Sequence, residues 1–361
     1  MQNHYCIIMA GGIGSRFWPV SQERNPKQFL DILGTGKSFI RSTFERFLPV
    51  VPAKNFIVVT NATYKDLVLQ HIPELSEDQV LCEPIRRNTA PCIAYASYHI
   101  LSKNSKAKVV VTPADHLVTN EKNFHCVISS GLNFVSDASN ANALLTIGIR
   151  PTRPETGYGY IQIPKSIYGA TISAPEITKV LSFTEKPNLE RAKQFLKSGK
   201  YLWNSGIFIW SLEGILNALR TYTPQITAIF DEGQNVFGSS DEQNFINENF
   251  HRCPDISIDY GVMEKSPKTY TIPADFGWSD IGTWGSLFTN AIKDTQNNAI
   301  NGNAIVEDTT NSIINIAKNT KAIIQGLDNY LVAFYDNSLL VCRLSDEQKI
   351  KEWVSKLNST K

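Results

Sequence analysis

Over the first 150 residues, short apolar runs alternate with amphipathic stretches. Residues 5–10, 56–60, 108–112 and 143–149 are almost wholly apolar, the pattern of strands buried on both faces. Residues 38–48, 63–71 and 90–101 carry helical periodicity between them. Alternation of this kind predicts βαβ units and a mostly parallel sheet, whose ligands collect at the carboxyl ends of the strands. From about residue 151 the pattern is mixed: strands near 158–163, 177–184 and 206–210, a helix over 189–197, and a helical region over 212–250. After about residue 290, apolar triplets begin at Ala304, Ser312, Ala322, Tyr330 and Leu339, with Asn, Asp, Thr, Lys or Gly between them. Short strands at such regular spacing fit a small β-solenoid or an ordinary meander. A closing helix is expected, with a capping-box pattern at Ser345 and Gln348 and an apolar face of Ile350, Trp353, Val354 and Leu357. The pattern predicts an α/β fold in two domains: a catalytic-type domain over 1–290 and a small β-solenoid-like domain with a terminal helix over 291–361.

Composition narrows the function classes. The chain has 361 residues, 42% hydrophobic and 19% charged, so a sizeable core can form. Lys and Arg number 35 against 34 Asp and Glu, a net charge of +1, which argues against nucleic-acid or membrane-surface binding by bulk charge. The six cysteines are scattered without a C-x-x-C pair, so neither a disulfide framework nor a structural zinc site is expected. The N-terminus lacks a signal-peptide pattern and no apolar stretch reaches the ~18 residues of a membrane span, which points to a reduced, cytoplasmic setting.

The candidate chemistry follows the strands. Gly11-Gly12-Ile13-Gly14-Ser15-Arg16 directly follows the first strand, with Lys27 shortly after. Glycines there let backbone N–H groups face an anion, and the two cations suit a polyphosphate. The order matches neither a P-loop nor a dinucleotide fingerprint. Asp115 follows a fully apolar strand, and Asp280 lies in a Gly-Trp-Ser-Asp-Ile-Gly segment; the pair could hold Mg²⁺, which needs only one or two carboxylates. Equally, Asp115 could cap a helix and Asp280 could belong to a turn. Three loops carry sugar-type hydrogen-bonding groups beside Gly or Pro: 155–160, 183–187 and 203–206. Residues 83–91 precede a helix, and its N-terminus could hold a base or phosphate or simply be capped.

Taken together, the segments GGIGSRFWP, NPKQF, EPIRRNTAP, TPADH, ETGYGYI, FTEKP, NSGIF and WSDIGTW resemble the motifs of bacterial mannose-1-phosphate guanylyltransferases. The likeness runs from about residue 5 to residue 285. It implies a Rossmann-like, mixed but mostly parallel nucleotidyltransferase domain, followed by a short left-handed β-helix. The implied reaction is GTP plus α-D-mannose 1-phosphate giving GDP-mannose and pyrophosphate. By the resemblance, Gly11, Gly12, Gly14, Ser15 and Arg16 cradle GTP, and Lys27 stabilises charge at the transferring phosphate. Asn88 and Thr89 lie near the guanosine. Asp115 and Asp280 hold Mg²⁺ or Mn²⁺. Gly157, Tyr158, Glu185, Lys186, Asn204 and Asp280 hold the mannose phosphate. The exposed edges of a short β-solenoid need capping, so a homodimer is expected; the isomerase domain of longer relatives is expected to be absent. Three alternatives stand beside this. One is the same chemistry on another nucleotide or hexose, and the second is a non-catalytic sensor. The third, a glycosyltransferase, lacks the D-x-D triplet it would want.

Overall fold

A computed structural model describes residues 2–165, 176–317 and 319–359. By compactness the chain divides into two units, neither continuous in sequence. The first comprises Met1–Gly11, Thr43–Ala114 and Val118–Trp278; the second comprises Gly12–Ser42, Asp115–Leu117 and Ser279–Lys361. The change in texture near residue 290 is therefore not where the compact units divide.

The first unit is built on one mixed sheet. Its strands are β1 (His4–Met9), β2 (Phe56–Asn61), β3 (Val80–Glu83), β4 (Lys108–Pro113), β5 (Leu144–Ile149), β6 (Tyr160–Gln162), β7 (Thr178–Lys179), β8 (Ser182–Thr184), β9 (Tyr201–Ser211) and β10 (Thr269–Ala274). The order is β3-β2-β1-β4-β9-β5-β10-β7, with β6 pairing both β9 and β8. The apolar runs predicted as strands form β1, β2, β4 and β5; Cys6, Ile7, Ile8, Val109, Val110 and Val111 are fully buried. Pairings among β1 to β4 are parallel, while β9 runs antiparallel to both its central neighbours. Helix Thr89–Lys103 is buried on nearly every side, because it is apolar all round and lies between the sheet and the helices that follow β9. Sequence reading missed β3 and β10: each is too short or too mixed in polarity to stand out.

In the second unit, strands β11 (Ala299–Asn301), β12 (Asn303–Glu307), β13 (Ile313–Ile316), β14 (Lys321–Gln325) and β15 (Tyr330–Tyr335) pair in parallel, β11 with β13, β13 with β15, and β12 with β14. Asn303 pairs with Lys321, Thr310 with Asp328 and Ile313 with Leu331, each partner 18 residues further along. From β12 onward three faces advance by one common step, after an entry strand that leads β13 by 14 residues, and this makes a coil rather than a meander. Ile314, Ile316 and Val332 fill its interior. The last triplet does not continue the coil. Asp336 and Asn337, both at positive φ, turn β15 back into antiparallel β16 (Ser338–Arg343). Ser345 starts no α-helix. Leu344–Lys349 is a 3₁₀ segment, the α-helix covers Ile350–Ser359, and Trp353 and Leu357 on its expected apolar face stay exposed. The core of this unit joins Phe17, Val20, Leu30, Ile32 and Phe39 to Trp284, Ile313, Leu331 and Ile350. The segment after the glycine loop is thus packed on the C-terminal coil.

Candidate active site

In the second unit, Gly14 opens a 3₁₀ turn (Ser15–Phe17) with φ at 69°. A Cβ there would lie 2.5 Å from the Cβ of Lys27, so both conformation and space demand glycine. Ser21 Oγ donates to the Ile13 carbonyl at 2.6 Å and closes the loop. Lys27 enters underneath, its side chain only 3% exposed. Its Nζ donates to Asp115 Oδ2 at 2.8 Å, to the Asp115 carbonyl at 3.1 Å and to the Asp280 carbonyl at 2.9 Å. All three ammonium protons are placed. The same Nζ lies 5.6 Å from the Phe17 ring centroid and 5.0 Å from that of Phe39. Burial would raise the Asp115 pKa, but the Lys27 charge and hydrogen bond, with a contribution from His116, outweigh it and hold the carboxyl ionised below its ordinary value. Asp115 caps no helix, since the next one starts at Glu121 under an Asn120 cap.

Asp280 accepts the Gly282 N–H at 3.0 Å, and Arg16 Nη1 donates to the Gly282 carbonyl at 3.4 Å. Between them Ile281, fully buried, sits at φ 41°. A β-branched residue in that region is strained, and such strain concentrates at functional sites. The structure thus joins Gly14, Arg16, Lys27, Asp115 and Asp280 in one connected set drawn from three distant segments. Gly12 has open space where a Cβ would lie, leaving its backbone approachable. The donor set suits Mg²⁺: two hard carboxylates, with the rest of an octahedron left for water and phosphate oxygens.

In the first unit, Gly11 meets residues that follow β3. Arg86 Nε donates to its carbonyl at 3.2 Å. Glu83 Oε2 would lie 3.8 Å from a Cβ on Gly11. Glu83 is buried, and its Oε1 has no hydrogen-bond partner among the described residues. Burial pushes its pKa up to about 8, opposed by the Cys92 thiol and the Arg86 charge. Sequence reading assigned Glu83 no role, because β3, which it ends, is too short to be read as a strand. Asn88 and Thr89 were expected beside a nucleoside. Asn88, at φ 64°, caps helix Thr89–Lys103, and Thr89 Oγ1 accepts the Ile258 N–H at 2.8 Å. Their visible work is to shape the helix start.

A second cradle in this unit gathers the sugar candidates. β9 carries an irregularity between Asn204, still paired with Gly148, and Phe208, paired with Thr146; Gly206 within it has φ 71°, and residues 205–207 fall outside the register. Asn204 Oδ1 accepts Thr146 Oγ1 at 2.8 Å, and its Nδ2 donates to Asp259 Oδ1 at 2.8 Å. Glu185 lies against Gly159, where any Cβ would collide with Glu185 Oε2, and pairs with Lys186 Nζ at 2.7 Å. Lys186 has φ 46°. Burial works against its charge, yet Glu185 outweighs this and lifts its pKa above the ordinary lysine value. The Lys186 N–H donates to the Tyr158 carbonyl at 3.2 Å, and the Tyr158 ring meets Trp203 and Trp278 edge-on. The Gly157 N–H is taken by Glu155 Oε1 at 3.1 Å. Asp259 was not foreseen. Nothing in Ile-Ser-Ile-Asp-Tyr distinguishes it before folding.

A family model described as nucleotidyl transferase matches residues 5–297. A mannose-1-phosphate guanylyltransferase of Escherichia coli is 36% identical over 357 residues, spanning 98% of this chain and 75% of that protein. The alginate biosynthesis protein AlgA of Pseudomonas fluorescens is 34% identical, over 98% of this chain and 71% of its own length. Among solved structures, a mannose-1-phosphate geranyltransferase from Thermus thermophilus superposes with a TM-score of 0.84 at 27% identity, covering 99% of both chains. With the site motifs in place along a matching fold, the chain belongs to the nucleotidyl transferase family and, within it, to the mannose-1-phosphate guanylyltransferases.

Proposed function

We propose that this chain transfers GMP from GTP to α-D-mannose 1-phosphate, releasing pyrophosphate. The observation that carries the reading is the joining of Lys27, Asp115 and Asp280 into one hydrogen-bonded group packed against Gly14. The attacking group is a phosphate oxygen, already anionic because the second pKa of a phosphate monoester is about 6. No general base is required. The protein has to place two anions in line and neutralise their charge.

The residues divide the work. Gly11, Gly12, Gly14, Ser15 and Arg16 receive the triphosphate through N–H groups and the guanidinium fork. Asp115 and Asp280 would hold Mg²⁺ or Mn²⁺, which supplies positive charge to the phosphates. Lys27 keeps those two aspartates in place and adds its own charge beside them. Glu83 reads the base as an ionised carboxylate: the N1–H and exocyclic amine of guanine both donate to it and draw its raised pKa back down, whereas adenine presents an acceptor at N1 and leaves it protonated. An unpaired buried carboxyl group then penalises the wrong base. Asn88 and Thr89 fix the helix start beside it. Gly157, Tyr158, Glu185, Lys186 and Asn204 receive the hexose phosphate. A homodimer and a cytoplasmic location belong to the same reading; among the described residues, no helix is long and apolar enough to cross a membrane.

The test is pyrophosphate release from purified protein with Mg²⁺, over a grid of five nucleoside triphosphates against mannose 1-phosphate and glucose 1-phosphate. Release strongest with GTP and mannose 1-phosphate, and abolished by EDTA, is expected. Preference for another pair would reassign the specificity, and silence across the grid would reject turnover.

A further inference from the structure

Several strained and buried groups of the first unit lie around one amide, that of Asn204. Its side chain is held from both ends: Thr146 Oγ1 donates to Oδ1 at 2.8 Å, and Nδ2 donates to Asp259 Oδ1 at 2.8 Å. The Gly206 N–H, which can only donate, also reaches Oδ1 at 3.3 Å and fixes which end of the amide is oxygen. Asp259 starts a single π-helical turn, Asp259–Met263, a local geometry that recurs at functional sites. The neighbouring groups are shaped with similar care: Lys186 stays in the left-handed region, and Gly159 leaves room for Glu185. Each of these features costs stability, and none is needed to close the sheet.

We infer that Asp259 is a positioning residue for the hexose 1-phosphate, holding the Asn204 amide to face the sugar hydroxyls and setting the charge of the cradle that receives the phosphate. This rests on the function proposed above and names the group that tunes its sugar site.

The charge argument can be followed group by group. The ionisable side chains around Asp259 are Glu185 and Lys186, from the loop after β8, with Tyr260 and Glu264 on its own stretch of chain. Glu185 is paired with Lys186, so that pair is neutral. Burial, reinforced by the Glu185 charge, pushes Asp259 up to about 7, against the lowering effect of hydrogen bonds from the backbone and Asn204. Glu264 is raised by burial as well, again with Glu185 adding to it. Below pH 7 a protonated Asp259 adds no charge to the cradle. Above pH 7 Asp259 ionises and adds a negative charge beside the site of a dianionic phosphate. The phosphate monoester has its midpoint near pH 6 and is about nine-tenths dianionic by pH 7, so the change between pH 7 and 8.5 reports chiefly the protein group. The sign follows: a bound anion favours protonated Asp259, so affinity for the sugar phosphate falls as pH rises through 7. Nucleotide affinity is not tied to this group.

The experiment measures kcat and both KM values between pH 6.5 and 8.5 for the wild-type chain, Asp259→Asn and Thr146→Val, with calorimetric binding of mannose 1-phosphate alongside. In the wild type, KM for mannose 1-phosphate should rise about three- to tenfold over this range. Asp259→Asn keeps an acceptor for Asn204 and removes the charge, so its KM should lose that slope. Thr146→Val loosens the other end of Asn204: its KM should rise severalfold at every pH, with the slope retained. A wild-type slope in Asp259→Asn would overturn the inference, as would KM values for GTP and sugar that move together. A wild type that binds mannose 1-phosphate with the expected slope, yet turns over no nucleotide, would sink the proposed reaction and leave the role of Asp259 standing. No binding at any pH would remove both.

Discussion

Lys27 and Lys186 belong to different compact units and differ in nearly every physical respect. The Lys27 side chain is 3% exposed and spends all three protons on the backbone and carboxylate of the two candidate metal aspartates. Aromatic rings on Phe17 and Phe39 wall it in. The Lys186 side chain is 61% exposed and makes one ion pair, with Glu185. What is rigid at Lys186 is its backbone, held at φ 46°. On the proposed function, a cation required at one unchanging point beside the reacting phosphorus is built into the core, where it loses no entropy at the moment of reaction. The cation proposed to meet an incoming sugar phosphate is exposed at its tip, on a fixed stem.

The contrast makes graded predictions. The largest effect is expected at Lys27. Lys27→Ala leaves Asp115 without its partner and should lower kcat/KM by ~10²–10³, mostly through kcat, as for loss of a preorganised electrostatic group. It should also lower the melting temperature, because a buried charge pair is broken. Near wild-type kinetics would remove Lys27 from the chemistry and end the comparison. Next comes Lys186→Ala, which should raise KM for mannose 1-phosphate by about tenfold or more, the cost of one lost charge-assisted hydrogen bond, with a much smaller change in kcat. A collapse of kcat there would show that the two lysines are not divided as described.

Smaller still is the effect of Glu83→Gln. A carboxamide offers guanine one acceptor and one misplaced donor, so preference for GTP over ATP should fall by about tenfold; an unchanged ratio in competition assays would clear Glu83 of reading the base. The smallest effect is on stability. Glu83 and Asp259 have folded-state pKa values of about 8 and about 7, above those of unfolded carboxyls. Their contribution is fully present below about pH 4 and is lost as pH rises toward 7 or 8, since the unfolded chain releases those protons first. The melting temperature of Glu83→Gln relative to wild type should therefore improve by a few degrees between pH 5 and pH 8. A flat difference would mean that Glu83 titrates normally.

Much of the first unit was legible before folding. Strands β1, β2, β4 and β5 are buried on both faces, so nearly every position in them is apolar, and nothing in their surroundings competes with that signal. β3 and β10 were not legible, the first being four residues long and the second broken by Thr, Tyr and Pro. The coil was half legible. Its rungs are spaced regularly in sequence, but the last triplet looks like another rung and is turned back by the positive φ of Asp336 and Asn337.

By itself, the sequence determined the chemistry on offer. Glycine loops, cations and carboxylates follow strand ends in an order that local rules can read, because secondary-structure period and turn propensity act between near neighbours. Only the tertiary structure decided which of those groups meet. Residues 12–42 pack on a coil that begins more than 250 residues later, and Lys27 is thereby carried to Asp115 and Asp280. Asp259 acquires its role from Asn204, 55 residues away, and from burial that no local pattern encodes. The physical reason is the same in both cases. Hydrogen-bond geometry and desolvation depend on what surrounds a group in space, and those surroundings exist only once the chain has closed upon itself.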